Sequence, residues 1–140
     1  MDICIRNETE EFSLRAAALI IKDEKILLIK NDTLNCFYTV GGRIKQNESS
    51  EEAVCRECIE EIGFECKLER LVFVQERFYQ VNNRKHHETV FFYLMKPYRD
   101  EIHNGNQTDQ ACCRLYWIPI EDLSKLNLVP TFLLKMDIFI

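Results

Sequence analysis

Residues 42–64 read GRIKQNESSEEAVCRECIEEIGF, and the fold is decided in this stretch. Ser49 through Ile62 suits a helix. Ser49 followed three positions later by Glu52 makes a capping box, and Gly63 stands where a helix end asks for a left-handed residue. Val54, Cys58 and Ile62 fall at i, i+4 and i+8, with Cys55 and Ile59 widening the stripe, so one side of the helix faces a core. Glu57, Glu60 and Glu61 fall at i, i+3 and i+4 and share a neighbouring face. Like charges so placed repel by roughly 0.2–0.5 kcal/mol per pair. Hard divalent cations such as Mg2+ or Mn2+ prefer oxygen clusters of this kind and would turn the repulsion into stabilisation. The plainer alternative is a solvated acidic face paired with Arg56.

The same stretch resembles the Nudix box, G-x5-E-x7-R-E-U-x-E-E-x-G-U with U apolar. Gly42, Glu48, Arg56, Glu57, Glu60, Glu61 and Gly63 match it identically, and Cys58 and Phe64 fill the apolar positions. The resemblance implies an α/β fold, a Nudix-type α/β/α sandwich with a mixed, largely antiparallel sheet between helices. It further implies a hydrolase dependent on Mg2+ or Mn2+ that splits a pyrophosphate bond in a nucleoside diphosphate linked to another group. Glu57, Glu60 and Glu61 match the family's metal-ligand positions, and one of them, or a residue elsewhere, activates water. Arg56 is expected to orient a glutamate, Glu48 first of all, rather than to touch substrate. Glu48 lies near the helix start, where the dipole favours a carboxylate, and reads as a brace. Gly41 and Gly42 are expected to bend the loop into the helix and let backbone approach metal or phosphate. Many family members carry proline before the two glycines; here the residue is Val40, which alters the strand end without removing a ligand. The family often adds an acidic residue from beyond the box. Glu88 is the first candidate and Glu76 the second, with a surface salt bridge as the ordinary reading of each.

Around the box, strands dominate. Phe12–Lys22 and Lys25–Lys30 are expected to form a hairpin about Asp23-Glu24. Cys36–Val40 is a third strand. Lys67–Tyr79 and Glu88–Met95 are long strands joined by a polar segment, Gln80–His87. Arg114–Ile118 is another strand, Ile120–Leu126 a short helix, and Pro130 opens a last amphipathic helix over Thr131–Ile138. Hairpins mixed with helices point to a mixed sheet between helical layers.

Composition sets the outer limits. A length of 140 residues, 46% of them hydrophobic and 29% charged, fits a single domain over residues 1–140 with a core of its own. The aliphatic run Ala16–Ile21 is too short to cross a bilayer, and the acidic start MDICIRNETEEF lacks a signal-peptide pattern. Seven cysteines, an odd number, suit reduced thiols in the cytoplasm. Cys55 and Cys58 form a C-x2-C with no second pair at zinc spacing. A net charge of −5 speaks against a nucleic-acid polymer as partner. An acidic protein handling an anionic nucleotide is consistent only if bound cations reverse the sign of the site.

Substrate contacts are less legible. Phe37, Tyr38, Phe78 and Tyr79 are candidates to stack on a base, with core packing as the commoner role of strand aromatics. Arg77, Arg84, Lys85, His86 and His87 cluster about the expected loop and are candidates to hold a terminal phosphate. Tyr79 is near, but not at, the spacing associated with dinucleoside polyphosphate hydrolases. The proline of many ADP-ribose hydrolases and the Pro/Trp-rich motif of NADH-cleaving members are absent. Nucleoside triphosphates or sugar nucleotides stay as the analogy. The apolar end TFLLKMDIFI is assigned to the core, with a homodimer contact as the alternative. Two other classes stand beside the enzyme. One is a Nudix-fold module that senses a nucleotide without hydrolysing it; the retained glutamates argue against it. The other is an interaction domain, which leaves the carboxylate face unexplained.

Overall fold

Eight strands form one mixed sheet, with the box helix packed on one face, in the computed structural model, which describes residues 1–99 and 101–129. In chain order these are β1 (Cys4–Arg6), β2 (Glu10–Lys22), β3 (Lys25–Asn31), β4 (Cys36–Arg43), α1 (Ser50–Ile62), β5 (Cys66–Val81) and β6 (Arg84–Pro97). They are followed by β7 (Cys113–Pro119), a 3-10 turn (Ile120–Lys125) and β8 (Leu128–Val129). The order across the sheet is β5-β6-β2-β3-β4-β8, with β1 paired to β2 and β7 to β3. The pairs β2–β6 and β4–β8 are parallel and the others antiparallel.

Strand β2 organises the molecule. Ala16 through Ile20 are buried without interruption, as a strand covered on both faces must be. Ala16, Ala18 and Ile20 pack with Val54, Cys58 and Ile62 of α1 and with Tyr93 and Met95 of β6. Ala17 and Leu19 face the opposite way, onto Val90, Phe92, Leu123 and Leu128. The small alanines let α1 lie close to the sheet, and that closeness sets the height of its glutamates above β4.

The strands run further than expected. The turn between β5 and β6 is only Asn82-Asn83, with φ of 51° and 63°, so Gln80–His87 is not a loop. Asparagine tolerates positive φ, and two such residues in succession make the tight turn that suits strand twist. Arg84, Lys85, His86 and His87 are therefore strand residues whose side chains alternate between the two faces. Asp23 and Glu24 make the expected β2–β3 turn in the same conformation, with φ of 51° and 61°. Strand β4 continues through Gly41 and Gly42, which pair with Ala17 and Ala16 instead of bending a loop.

The helix ends match their signals. The Ser49 hydroxyl accepts a hydrogen bond from the Glu52 amide, and Gly63 closes the helix at φ 87°. Ile59 is exposed, and Ala53 takes its place in the buried stripe. On the far face the described helical structure is the 3-10 turn; the helix expected over 131–138 lies outside the described residues. No helix among the described residues is long and apolar enough to cross a membrane.

Candidate active site

The box glutamates split into two environments, and Arg56 divides them. Its Nε and Nη2 donate to the two oxygens of Glu48 at 2.7 and 2.9 Å, a bidentate fork. Nη2 also donates to the Arg43 carbonyl at 2.9 Å, tying α1 to the end of β4. Nη1 donates to Glu57 at 2.9 Å and to Glu60 at 3.2 Å. Hydrogen bonds from Arg56 hold the Glu48 carboxyl down at about 2, against the opposing effect of burial, and the Lys45 amide adds to them. Glu48 is thus a permanent anion that fixes the guanidinium, and the guanidinium in turn fixes Glu57.

Glu57 and Glu61 point at the glycines of β4. The Gly41 amide donates to Glu61 Oε2 at 2.9 Å. A β-carbon on Gly42 would overlap the Glu57 carboxylate, and one on Gly41 would meet the backbone of Ala16 and Ala17. Both glycines are needed for closeness rather than for curvature. Glu57 and Glu61 line a cavity of about 430 Å³ together with Asp109, Gln110, Arg15 and Tyr38. Glu60, 44% exposed, stays on the outer side of Arg56.

Burial pushes Glu61 up to about 8; the Gly41 amide pulls it down, while the charges of Glu57 and Asp109 raise it further. Burial raises Glu57 as well, with Arg56 opposing. Two half-buried carboxyls that resist ionisation while adjacent are a donor set in want of positive charge. Their hard oxygen donors fit Mg2+ or Mn2+, and the cavity leaves room for water and substrate oxygens to complete the shell. Among the described residues, no three carboxylate, imidazole or thiol side chains stand at ligating separation.

Glu88 occupies a second cleft, about 540 Å³, which shares Arg15, Tyr38, Gly41 and Gly42 with the first. It is 5% exposed. Both its oxygens are engaged, one by the Tyr79 hydroxyl at 2.6 Å and the other by Arg77 at 3.2 Å. Burial and the bond to Glu88 push the Tyr79 phenol up to about 12, so it stays a donor. Glu76 is exposed and stands one residue before Arg77, on the other face of β5. Among the candidate aromatics, Tyr38 and Tyr79 line the cleft. Phe37 packs edge-on against Tyr116, and Phe78, 68% exposed, stacks on His87 across the sheet. The Tyr38 hydroxyl lies 3.2 Å from the Cys113 thiol.

Sequence reasoning missed Arg15, which lines both cavities. It is a charged residue on the β2 face that also carries Ser13, Ala17 and Leu19, all buried. A charge interrupting a buried face was the available signal. Asp109 and Gln110 lie in the segment between β6 and β7, where no periodic pattern marks them.

A mixed sheet that carries a capped helix with paired, half-buried carboxylates over a glycine pair defines the class of a carboxylate-helix hydrolase. The NUDIX domain model matches residues 12–135. Mouse diphosphoinositol polyphosphate phosphohydrolase 3-alpha is 31% identical over 136 residues, which cover 88% of this chain and 77% of that protein. The crystal structure of a MutT NUDIX hydrolase from Burkholderia pseudomallei superposes with a TM-score of 0.61 at 27% identity, covering 79% of this chain and 84% of that one. A MutT protein from Bacillus halodurans shares the fold with a TM-score of 0.69 at 15% identity, over 89% of this chain and 80% of that one. The chain belongs to the NUDIX family and is a Nudix hydrolase, an enzyme of diphosphate-containing substrates.

Proposed function

We propose that this chain is a metal-dependent pyrophosphohydrolase that cleaves a diphosphate joined to another moiety, with Glu57 and Glu61 as the principal metal ligands. The observation that carries this is the convergence of two half-buried, ionisation-resistant carboxyls on the Gly41-Gly42 pair. A divalent cation held there would neutralise the diphosphate and acidify an attacking water. The chain's own residues do the rest. Arg56, clamped by Glu48, holds Glu57 in position. Glycine at 42 lets that carboxylate approach the sheet. Arg15 offers a guanidinium to the phosphate oxygens at the cavity wall. Water attacks one phosphorus, the P–O bond of the anhydride breaks, and a carboxylate of the site accepts the water's proton. Glu60 supplies a further carboxylate at the outer edge, and Glu88 bounds the cleft that receives the linked group.

The linked moiety is read first as a nucleoside, seated between Tyr38 and Tyr79. A second reading takes it as an inositol polyphosphate, because the mouse relative that is 31% identical is named for that substrate. The enzyme works as a single domain in the cytoplasm, and a homodimer is kept as a possible assembly. The deciding experiment measures phosphate release with Mg2+ or Mn2+ from dNTPs, NDP-sugars, ADP-ribose, dinucleoside polyphosphates and a diphosphoinositol polyphosphate. Turnover should need the cation and drop roughly a hundredfold or more in Glu57→Gln and Glu61→Gln. Equal turnover in chelator, or undiminished turnover in both variants, would sink the assignment.

A further inference from the structure

Beside the carboxylate cavity lies a third space of about 490 Å³, and arginines surround it. Arg6, Arg15, Arg43 and Arg84 line it, with Glu11 and Glu88 as the buried acids among them. The cluster stands out in a chain whose net charge is −5. Its two buried acids are already engaged, and the third acid of its lining, Glu8, is exposed. Glu11 accepts from Arg6 Nε at 2.7 Å and from Arg43 Nη2 at 3.3 Å. Glu88 is held by Tyr79 and Arg77. Burial opposes the ionisation of Glu11, but the Arg6 hydrogen bond and the charges of Arg6, Arg43 and His86 outweigh it and keep its carboxyl below the usual range.

Two of the arginines are left with unused donors. The Arg15 side chain makes no hydrogen bond and no ion pair among the described residues, although the residue is half-buried. The Nε of Arg84 is buried without a partner, and its Nη1 reaches only to 4.0 Å from Glu11. The Arg84 Nε, an unsatisfied donor held out of water, is costly, and an oxyanion that accepts from it removes the cost. Arg15 and Arg43 also line the Glu57–Glu61 cavity, so the two spaces share a wall. From Arg15, one cleft runs toward the tyrosines and another toward Arg84.

We infer that the arginine cavity binds a phosphate monoester of the substrate that is not cleaved. This rests on the diphosphate-hydrolase reading above and narrows it. The substrate carries phosphate beyond its diphosphate, on the linked moiety, and Arg84 with Arg15 selects for that group. A diphosphate joined only to an uncharged sugar leaves the Arg84 donor empty. The phosphate has two possible carriers, a phosphorylated nucleoside or a phosphorylated cyclitol, and the recognition chemistry is the same for both.

Calorimetry on the whole chain tests this without turnover. The probes are AMP, adenosine 3′,5′-bisphosphate and inositol hexakisphosphate, none of which contains a diphosphate. On the unaltered chain, at least one multiply phosphorylated probe should bind roughly tenfold or more tighter than AMP, the margin of one or two charge-assisted hydrogen bonds. Preference for the bisphosphate identifies a nucleotide carrier, and preference for the hexakisphosphate identifies a cyclitol. Arg84→Gln should erase the margin and leave the melting temperature unchanged. Equal binding of all three probes, no binding of either polyphosphate, or an undiminished margin in Arg84→Gln would overturn the inference. The probes are not hydrolysed, so that outcome is separate from a failure of Glu61→Gln to abolish diphosphate cleavage, which would overturn the parent reading.

Discussion

Glu61 is a carboxyl that the fold keeps reluctant to ionise, and this has a consequence for stability. Its ordinary value is 4.5 and its folded value about 8. The unfolded chain therefore releases this proton first. The contribution to stability is full below about pH 4.5 and is lost as pH rises toward 8. Glu48 has the opposite sign, but its window lies between about 2 and 4.5, so it adds no slope above pH 5. Metal-free protein should lose roughly 5–10 °C of melting temperature between pH 5 and pH 8.5. Glu61→Gln should flatten that slope, and Mn2+ should raise the melting temperature more at pH 8.5 than at pH 5, because binding needs the ionised form. A metal-free profile that is level or rises over this range would contradict the assigned environment. Gly42→Ala is the companion test. Its β-carbon must displace the Glu57 carboxylate, so kcat should fall roughly a hundredfold while the fold persists by circular dichroism. Retention of wild-type kcat would show that Glu57 need not lie against β4. At this scale the sequence was most legible where spacing carries chemistry, as for Glu57, Glu60 and Glu61. It could not divide Glu60 from the other two, because helical periodicity sets a direction and not what Arg56 will attract.

Helix α1 shows how far local signals reach. Ser49, Glu52 and Gly63 specify both ends from residues within one turn, and the helix stops where they say. Removing the cap should have a local and measurable cost. Ser49→Ala leaves the Glu52 amide without its acceptor and should cost about 1 kcal/mol, a drop of roughly 2–6 °C in melting temperature. Because the cap lies at the end away from Glu57 and Glu61, kcat at low temperature should change less than twofold. A larger loss of kcat than of stability would mean that the helix start steers the carboxylates. The strands were legible as apolar runs and less so at their ends. Arg84–His87 is polar and reads as loop, yet it is held in β6 by pairing with β5 on one side and β2 on the other. Glu11, Arg6 and His86 supply partners for one another across those strands, a long-range arrangement that no local pattern encodes. The β-ladder through Gly41 and Gly42 was hidden for a similar reason. Glycine usually marks a turn, and here the demand for room comes from Glu57 on another element.

Across the whole molecule, every cavity discussed is hung on β2, and its stability should be the highest. Residues 16–20 are covered on both faces and paired to β6 along one edge, and Ala16, Ala17 and Ala18 are paired to β4 along the other. Their amides can exchange with solvent only when most of the sheet opens. Strand β5 lies at the end of the strand order, with Leu71, Val74 and Phe78 exposed, and among the described residues it has a partner on one edge alone. Strand β1 is short, and residues 103–112 are held by turn and bridge hydrogen bonds. Hydrogen exchange followed by mass spectrometry should therefore give three tiers. Peptides spanning 16–20 should exchange at the rate of global unfolding, those of β5 sooner, and those of β1 and 103–112 first. Adding Mn2+ raises the global free energy by mass action, so it should slow the first tier as well as α1. The segment 103–112 is informative because Asp109 and Gln110 line the carboxylate cavity without belonging to a strand. If they take part in holding the cation or the diphosphate, this segment should gain more protection than β1 when both are present. Equal, unchanged exchange in the two segments would confine the site to the sheet and helix, with its carboxylates all on α1.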